Sequence, residues 1–168
     1  AELFDIKFAQ SADVMYLTHP SHKTRKLSRT GHTAWTLSEV DFTNGPYLDT
    51  NTTTTTLTSS AHTVGTGRTL TASSNLWVST DVGRLVRFRD GYGEITGFTS
   101  ATVVDWEILK DTGSASSSVD WSLGAFSDTT GHASCVTFFE QRLVFAATLN
   151  NPQTIYFSKS GDYENMDA

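Results

Sequence analysis

The sequence predicts an all-β fold in which both ends of the chain contribute to one sheet system and the middle forms a separate, barrel-like module. Three observations predict this fold. Only 18% of the 168 residues are charged, against about 25% in typical domains, while Thr, Ser and Gly are plentiful. Short stretches rich in β-branched and aromatic residues alternate with polar or glycine-containing turns. Thr-rich and Ser-rich stretches separate the middle of the chain from its two ends.

Residues 1–45 are predicted to form the first strands of the sheet system. Four short stretches there have the composition of strands and are divided by turns: LFDIKFA, DVMYLTHP, RKLSRTG and AWTLSEVDF. In the last stretch, alternation places Trp35 and Leu37 on one face and Val40 and Phe42 on the other, so neither face is purely apolar. No helical pattern interrupts these strands.

Residues 46–126 are predicted to form the inserted module. The chain-breaking Asn-Gly-Pro at 44–46 and the threonine run after Asn51 indicate a linker, although the β propensity of Thr also suits an edge strand. Four strand-like stretches follow, and a Ser-rich segment at 111–120 marks the second boundary. The last of the four alternates apolar with acidic residues, which indicates a half-buried strand: Val104, Trp106 and Ile108 against Asp105 and Glu107.

Residues 127–168 are predicted to contain a three-stranded meander. Its strands are the apolar runs Cys135–Phe139, Leu143–Thr148 and Thr154–Ser158, separated by polar turns. A lone meander leaves open edges, so we expect it to pair with the N-terminal strands. The nearly continuous apolar pattern also predicts four largely buried side chains, those of Cys135, Phe139, Leu143 and Phe145.

The charge balance bears on nucleic-acid binding. A net charge of -6 and a pI near 5.2 argue against a general nucleic-acid-binding surface, which needs clustered Lys and Arg. The one concentration of positive charge is HKTRKLSR. It contains Lys23, Arg25, Lys26 and Arg29. This cluster has two interpretations, a solvated strand face or a local contact with nucleic acid or an acidic neighbouring subunit.

No constellation in the sequence predicts catalysis, a cofactor or a metal. His19 and His22 have H-x2-H spacing, but Pro20 and Ser21 place them in a turn, and we expect that turn to be solvated. Cys135 lies in an apolar run without basic neighbours, which favours an inert thiol. There is no GxSxG motif and no apolar run of about 18 residues that could span a bilayer. The chain starts at Ala1 rather than Met, which suggests a processed or excised piece.

Two long stretches resemble one protein family. FAQSADVMYLTHP with the following KLSRTGHTAWTLSEVDFTNGPYL, and GHASCVTFFEQRLVFAATLNNPQTIYFSKSGDYENM near the end, are similar to segments of the tail tubular protein B, or tail nozzle, family of short-tailed phages and related prophages. VGRLVRFRDGYGEITGFTSATVVDWEIL resembles the small β module inserted between them. Ala147 stands where the family often has glycine, so a positive φ there would strain the backbone.

The resemblance implies a structural, non-catalytic subunit of a viral tail. It implies a β-propeller body with an inserted barrel-like platform, assembled in the host cytoplasm into a ring of identical copies beside neighbouring tail and adaptor proteins. DNA would pass through the ring during ejection without specific binding.

An alternative function is a receptor- or carbohydrate-binding tail module. Exposed tryptophans could stack on sugar rings, and the chain has four: Trp35, Trp77, Trp106 and Trp121. Their flanking apolar alternation favours core positions instead.

Overall fold

The protein is all-β in a computed structural model that describes residues 2–167. Besides strands, these described residues contain two short 3-10 helices, Glu2–Asp5 and Ser79–Asp81. The chain forms two compact units. The first, the end unit, consists of both chain ends, up to Pro46 and from Thr130; the second, the middle unit, covers Tyr47–Thr129. Within the described residues, no helix is long and apolar enough to cross a membrane.

An antiparallel four-stranded meander, the N-terminal sheet, opens the end unit. Its strands pair in sequence order: β1 (Lys7–Ser11), β2 (Val14–His19), β3 (His22–Gly31) and β4 (Ala34–Glu39). One face is buried through Tyr16, Thr18 and Thr24. Trp35 and Leu37 lie on the opposite, exposed face, whereas Val40, just beyond β4, is buried. The predicted division of these apolar residues between two faces is confirmed, and the structure shows which group is buried.

The three-stranded meander near the end of the chain is confirmed. This C-terminal sheet consists of β11 (Cys135–Phe139), β12 (Arg142–Ala146) and β13 (Ile155–Phe157). The expected strand pairing with the N-terminal sheet is wrong, because the two meanders form separate sheets. They meet through side chains, with the Tyr16 and Phe138 rings 6.1 Å apart, and through one parallel bridge between Thr43 and Asn165.

Burial in the C-terminal sheet differs from the prediction. Leu143 and Phe145 on the central strand β12 are fully buried, as predicted. Cys135 and Phe139 are exposed, Phe139 by 57%, which contradicts the prediction. Alternation along β11 turns both side chains away from the packed face, where Val136 lies. An apolar run by itself therefore does not distinguish a strand covered on both faces from one covered on a single face.

The middle unit is a curled six-stranded sheet with strand order β10-β7-β8-β9-β6-β5. Its strands are β5 (Leu57–Ser59), β6 (Gly65–Ala72), β7 (Leu85–Phe88), β8 (Gly91–Ser100), β9 (Val103–Lys110) and β10 (Trp121–Leu123). Irregular register between β8 and β9 accompanies the curl. The end strands β5 and β10 do not pair directly; Leu57 instead bridges to Ser118, ahead of β10.

The half-buried strand predicted at residues 104–108 is confirmed as part of β9. Val104, Trp106 and Ile108 on β9 are fully buried, while Asp105 is exposed. Trp77 and Trp121 join the same core.

The threonine run is an ordered part of the middle unit, so the interpretation as a linker is wrong. The Asn51 side-chain amide donates hydrogen bonds to the carbonyls of Thr53 and Thr55, and its oxygen accepts one from the Thr53 amide. The run then leads into edge strand β5, as the β propensity of Thr allows.

Candidate functional site

The most unusual surface in the end unit is the exposed face of the N-terminal sheet. Directly opposite residues on paired strands project to the same side, so the register defines this face: Phe8 is opposite Leu17, Met15 opposite Leu27, and Leu27 opposite Leu37. With Trp35 these residues make up what we call the N-terminal outer face. Phe8 is 64% exposed, and Trp35 and Leu37 are each 55% exposed. A group of large apolar side chains on one side of a sheet is typical of a contact surface.

The C-terminal sheet also exposes apolar side chains on the face turned away from the packed side. Phe139, Ile155 and Phe157 are 57%, 57% and 39% exposed, and Cys135 lies beside them. These four residues form the C-terminal outer face. Both sheets of the end unit therefore have one face buried and one face that is apolar and exposed.

The four basic residues predicted as a contact site all lie on β3, and each has an acidic partner. Lys23 and Arg25 lie 3.7 Å and 3.1 Å from the carboxylate of Glu39 on the neighbouring strand. Arg29 lies 3.5 Å from Asp13. Salt bridges inside the chain therefore offset much of the positive charge on the outer side of this sheet.

Lys26 lies on the opposite side of β3 from the other three. Its ammonium group is 2.7 Å from Glu164, near the end of the chain, and both side chains are 28% exposed. Alternation along a strand separates residue 26 from residues 23 and 25, so the structure does not bring the four basic residues together as one patch.

Three of the four tryptophans are core residues, which the alternating pattern predicted. Trp77, Trp106 and Trp121 are at most 6% exposed. Trp35 is exposed, so the core position favoured by the sequence pattern is wrong for this residue. The Arg29 guanidinium lies 5.9 Å from its ring centroid. Of the four candidate sugar-stacking residues, all within the described part of the chain, only Trp35 is exposed.

The structure brings together Glu2, His19 and His22 in a cluster that the sequence did not predict. His19 is 7% exposed, so the prediction of a fully solvated turn is wrong for this residue. Its ring centroid lies 4.7 Å from that of His22, and Glu2 from the first 3-10 helix contacts His22 at 2.9 Å. One possible metal-ligand atom from each of these three residues lies within 4.8 Å of the other two. The H-x2-H spacing indicated that His19 and His22 are close together, but no neighbouring residue in the sequence could indicate that Glu2 lies beside them.

The backbone at Ala147 has φ +60°. This is the left-handed region that favours glycine. The suspected strain at this position is therefore present, and it follows directly after strand β12.

No protein-family model and no curated protein matches this chain. Membership of the tail tubular protein family therefore stays a prediction that rests on the quoted motifs.

Proposed function

We propose that this protein is a structural subunit of a phage tail, in which copies form a ring around a channel for DNA ejection. The observation that carries the proposal is the pair of apolar outer faces on the end unit. It adds to the motif resemblance at both ends of the chain, and it favours assembly over catalysis.

The two outer faces fit a propeller body. In a β-propeller, four-stranded antiparallel blades follow one another around a centre, so each blade has a neighbouring blade on both sides. The N-terminal sheet is a four-stranded meander packed on one side only, and the C-terminal sheet is a meander with the same asymmetry. Further blades or a neighbouring subunit would cover Phe8 and Trp35 on one sheet and Phe139 on the other.

The charges fit a channel through which DNA slides. Each phosphate that a protein neutralises adds counterion-release free energy, and DNA must give this up again to leave. The chain has a net charge of -6, and Lys23, Arg25, Lys26 and Arg29 pair with its own carboxylates. Such a subunit would let a duplex pass without holding it. The basic strand would then lie at a subunit contact or on the outer surface.

Two measurements test this proposal. Gold-labelled antibodies against the chain should mark the tails of phage particles released by a bacterium that carries its gene; particles labelled elsewhere or not at all would contradict a tail subunit. The chain should also show no micromolar binding to duplex DNA at physiological salt. Micromolar affinity that disappears when Lys23, Arg25 and Lys26 are changed to Ala would contradict the sliding channel.

A receptor- or carbohydrate-binding tail module is the second candidate, favoured by the exposed ring of Trp35. Aromatic rings at such positions offer an apolar face together with a polar handle. A glycan screen separates the two proposals: a hit that Trp35→Ala abolishes, while Trp35→Phe retains it, would support binding. Absence of any hit favours assembly.

A further inference from the structure

We propose that Glu2, His19 and His22 form a binding site for a divalent zinc-class metal ion, which ties the first 3-10 helix to the turn between β2 and β3. Two imidazoles and one carboxylate are a ligand set that zinc accepts, with the fourth position left for water. The site is independent of the proposed tail function.

The spacing of the three side chains suits one ion. Zinc bonds of 2.0–2.1 Å in tetrahedral geometry place two ligand atoms about 3.3 Å apart. The Glu2 carboxylate and His22 Nε2 are already 2.9 Å apart, and all three ligand atoms lie within 4.8 Å of one another. Glu2 and His22 are exposed, with side chains 68% and 59% accessible, so small rotations can bring them to His19.

His19 provides the second, independent observation. Its ring is 7% exposed, and its Nε2 atom has no hydrogen-bond partner among residues 2–167. A buried polar atom without a partner costs about 1 to 3 kcal/mol, so such atoms are normally satisfied. A metal ion bound in the same cavity would supply the missing partner.

Binding requires a change of tautomer at His19. The Ser21 amide donates to Nδ1 at 3.1 Å, which places the ring proton of neutral His19 on Nε2. When Nε2 gives its lone pair to the metal, that proton leaves to solvent and Nδ1 takes one up. Ser21 is exposed, so its amide then bonds to water. The ring stays neutral, and protons balance at this residue.

The residues around the three ligands lower the expected affinity for a cation but leave the site accessible. The cavity of about 360 Å³ that contains the three ligands is also lined by Lys23 and Arg25, whose charges oppose a cation. Both basic groups point to Glu39, which offsets part of that repulsion. The remaining lining is mainly apolar and partly exposed: Leu3, Ile6, Leu17 and Leu37.

Isothermal titration of the chain with Zn²⁺ in a buffer without chelators tests the site. We expect one ion per chain, a rise in melting temperature on binding, and at least about a tenfold loss of affinity in Glu2→Gln and in His22→Ala. Glu2 and His22 are exposed, so these two variants should fold. His19 is buried, and the test therefore does not use a variant of it.

His62→Ala is the matched control. His62 also pairs with a carboxylate, that of Asp111 at 3.3 Å, but it lies in the middle unit and should leave zinc affinity unchanged. No binding at equimolar zinc, or equal affinity in wild type, Glu2→Gln and His22→Ala, would overturn the proposal.

Discussion

The ammonium group of Lys26 lies 2.7 Å from both carboxylate oxygens of Glu164, which joins the third strand of the N-terminal sheet to the last segment of the chain. The hydroxyl of Tyr16 donates to the same carboxylate at 3.1 Å. Glu164 therefore links two adjacent strands to one distant loop.

Changing Lys26 to Met should lower the free energy of unfolding by about 1.5 to 3 kcal/mol, the range for hydrogen bonds to charged groups. Lys23→Met is the control, because its ion pair with Glu39 is exposed and should contribute less than about 1 kcal/mol. Urea titration of both variants measures the two losses in free energy of unfolding. Equal losses would show that the contact with Glu164 does not stabilise the end unit.

The stability of the end unit should fall at high pH because of Tyr16. Burial raises the pKa of this phenol above its usual range, and the nearby Glu164 carboxylate raises it further. Below about pH 10 both folded and unfolded chains keep the proton. At higher pH the unfolded chain releases it first, so unfolding becomes easier. Urea titrations should show that the free energy of unfolding falls less between pH 9 and pH 11 in Tyr16→Phe than in the wild type. An identical fall in both proteins would contradict this explanation.

Leu143→Ala should destabilise the end unit by about 2 to 5 kcal/mol, since this fully buried side chain lies on the central strand β12. Phe139→Ala on the exposed face of β11 should cost less than about 1 kcal/mol despite removing a larger side chain. Denaturant titration compares the two variants. If Leu143→Ala cost less than about 1 kcal/mol, the meander would be peripheral to the core.

Ala147→Gly should stabilise the chain by about 0.5 to 1 kcal/mol. The left-handed conformation at φ +60° costs a residue with a Cβ about 1 to 2 kcal/mol, and the greater freedom of glycine in the unfolded chain offsets part of the gain. Thermal melting monitored by circular dichroism measures the effect. Ala146→Gly, one residue earlier and inside β12, is the control and should lower the stability. A lower melting temperature in Ala147→Gly would contradict the proposed backbone strain.

Arg84 and Asp81 form a buried ion pair in the middle unit, and we expect each residue to stabilise the unit only when the other is present. The two groups are 2.8 Å apart with side chains 4% and 2% exposed. Asp81→Ala should cost about 3 to 5 kcal/mol, because it leaves a buried guanidinium whose remaining bond is to the Gly124 carbonyl. In a double-mutant cycle with Arg84→Met, the double variant should lose less than the sum of the single losses; additive losses would contradict coupling.

The sequence by itself determined most of the strands and, along several of them, the alternation of side chains. The stretch LFDIKFA is an exception, because Glu2–Asp5 is a 3-10 helix and the first strand begins at Lys7. In β9, Val104 and Ile108 are buried beside exposed Asp105, as the two-residue period requires. The C-terminal meander also followed from local pattern, because strands and turns depend on residues that are near one another in the chain.

Only the tertiary structure decided which face of each strand is covered. Phe139 and Leu143 are both apolar and only four residues apart, yet one is exposed and the other is fully buried. They project to opposite faces of the C-terminal sheet, and only the face that carries Leu143 packs against the core. Glu164 reaching Lys26, and Glu2 reaching His22, join residues far apart in sequence. Such contacts depend on how two sheets and a 3-10 helix pack, and that packing leaves no periodic signal in the local sequence.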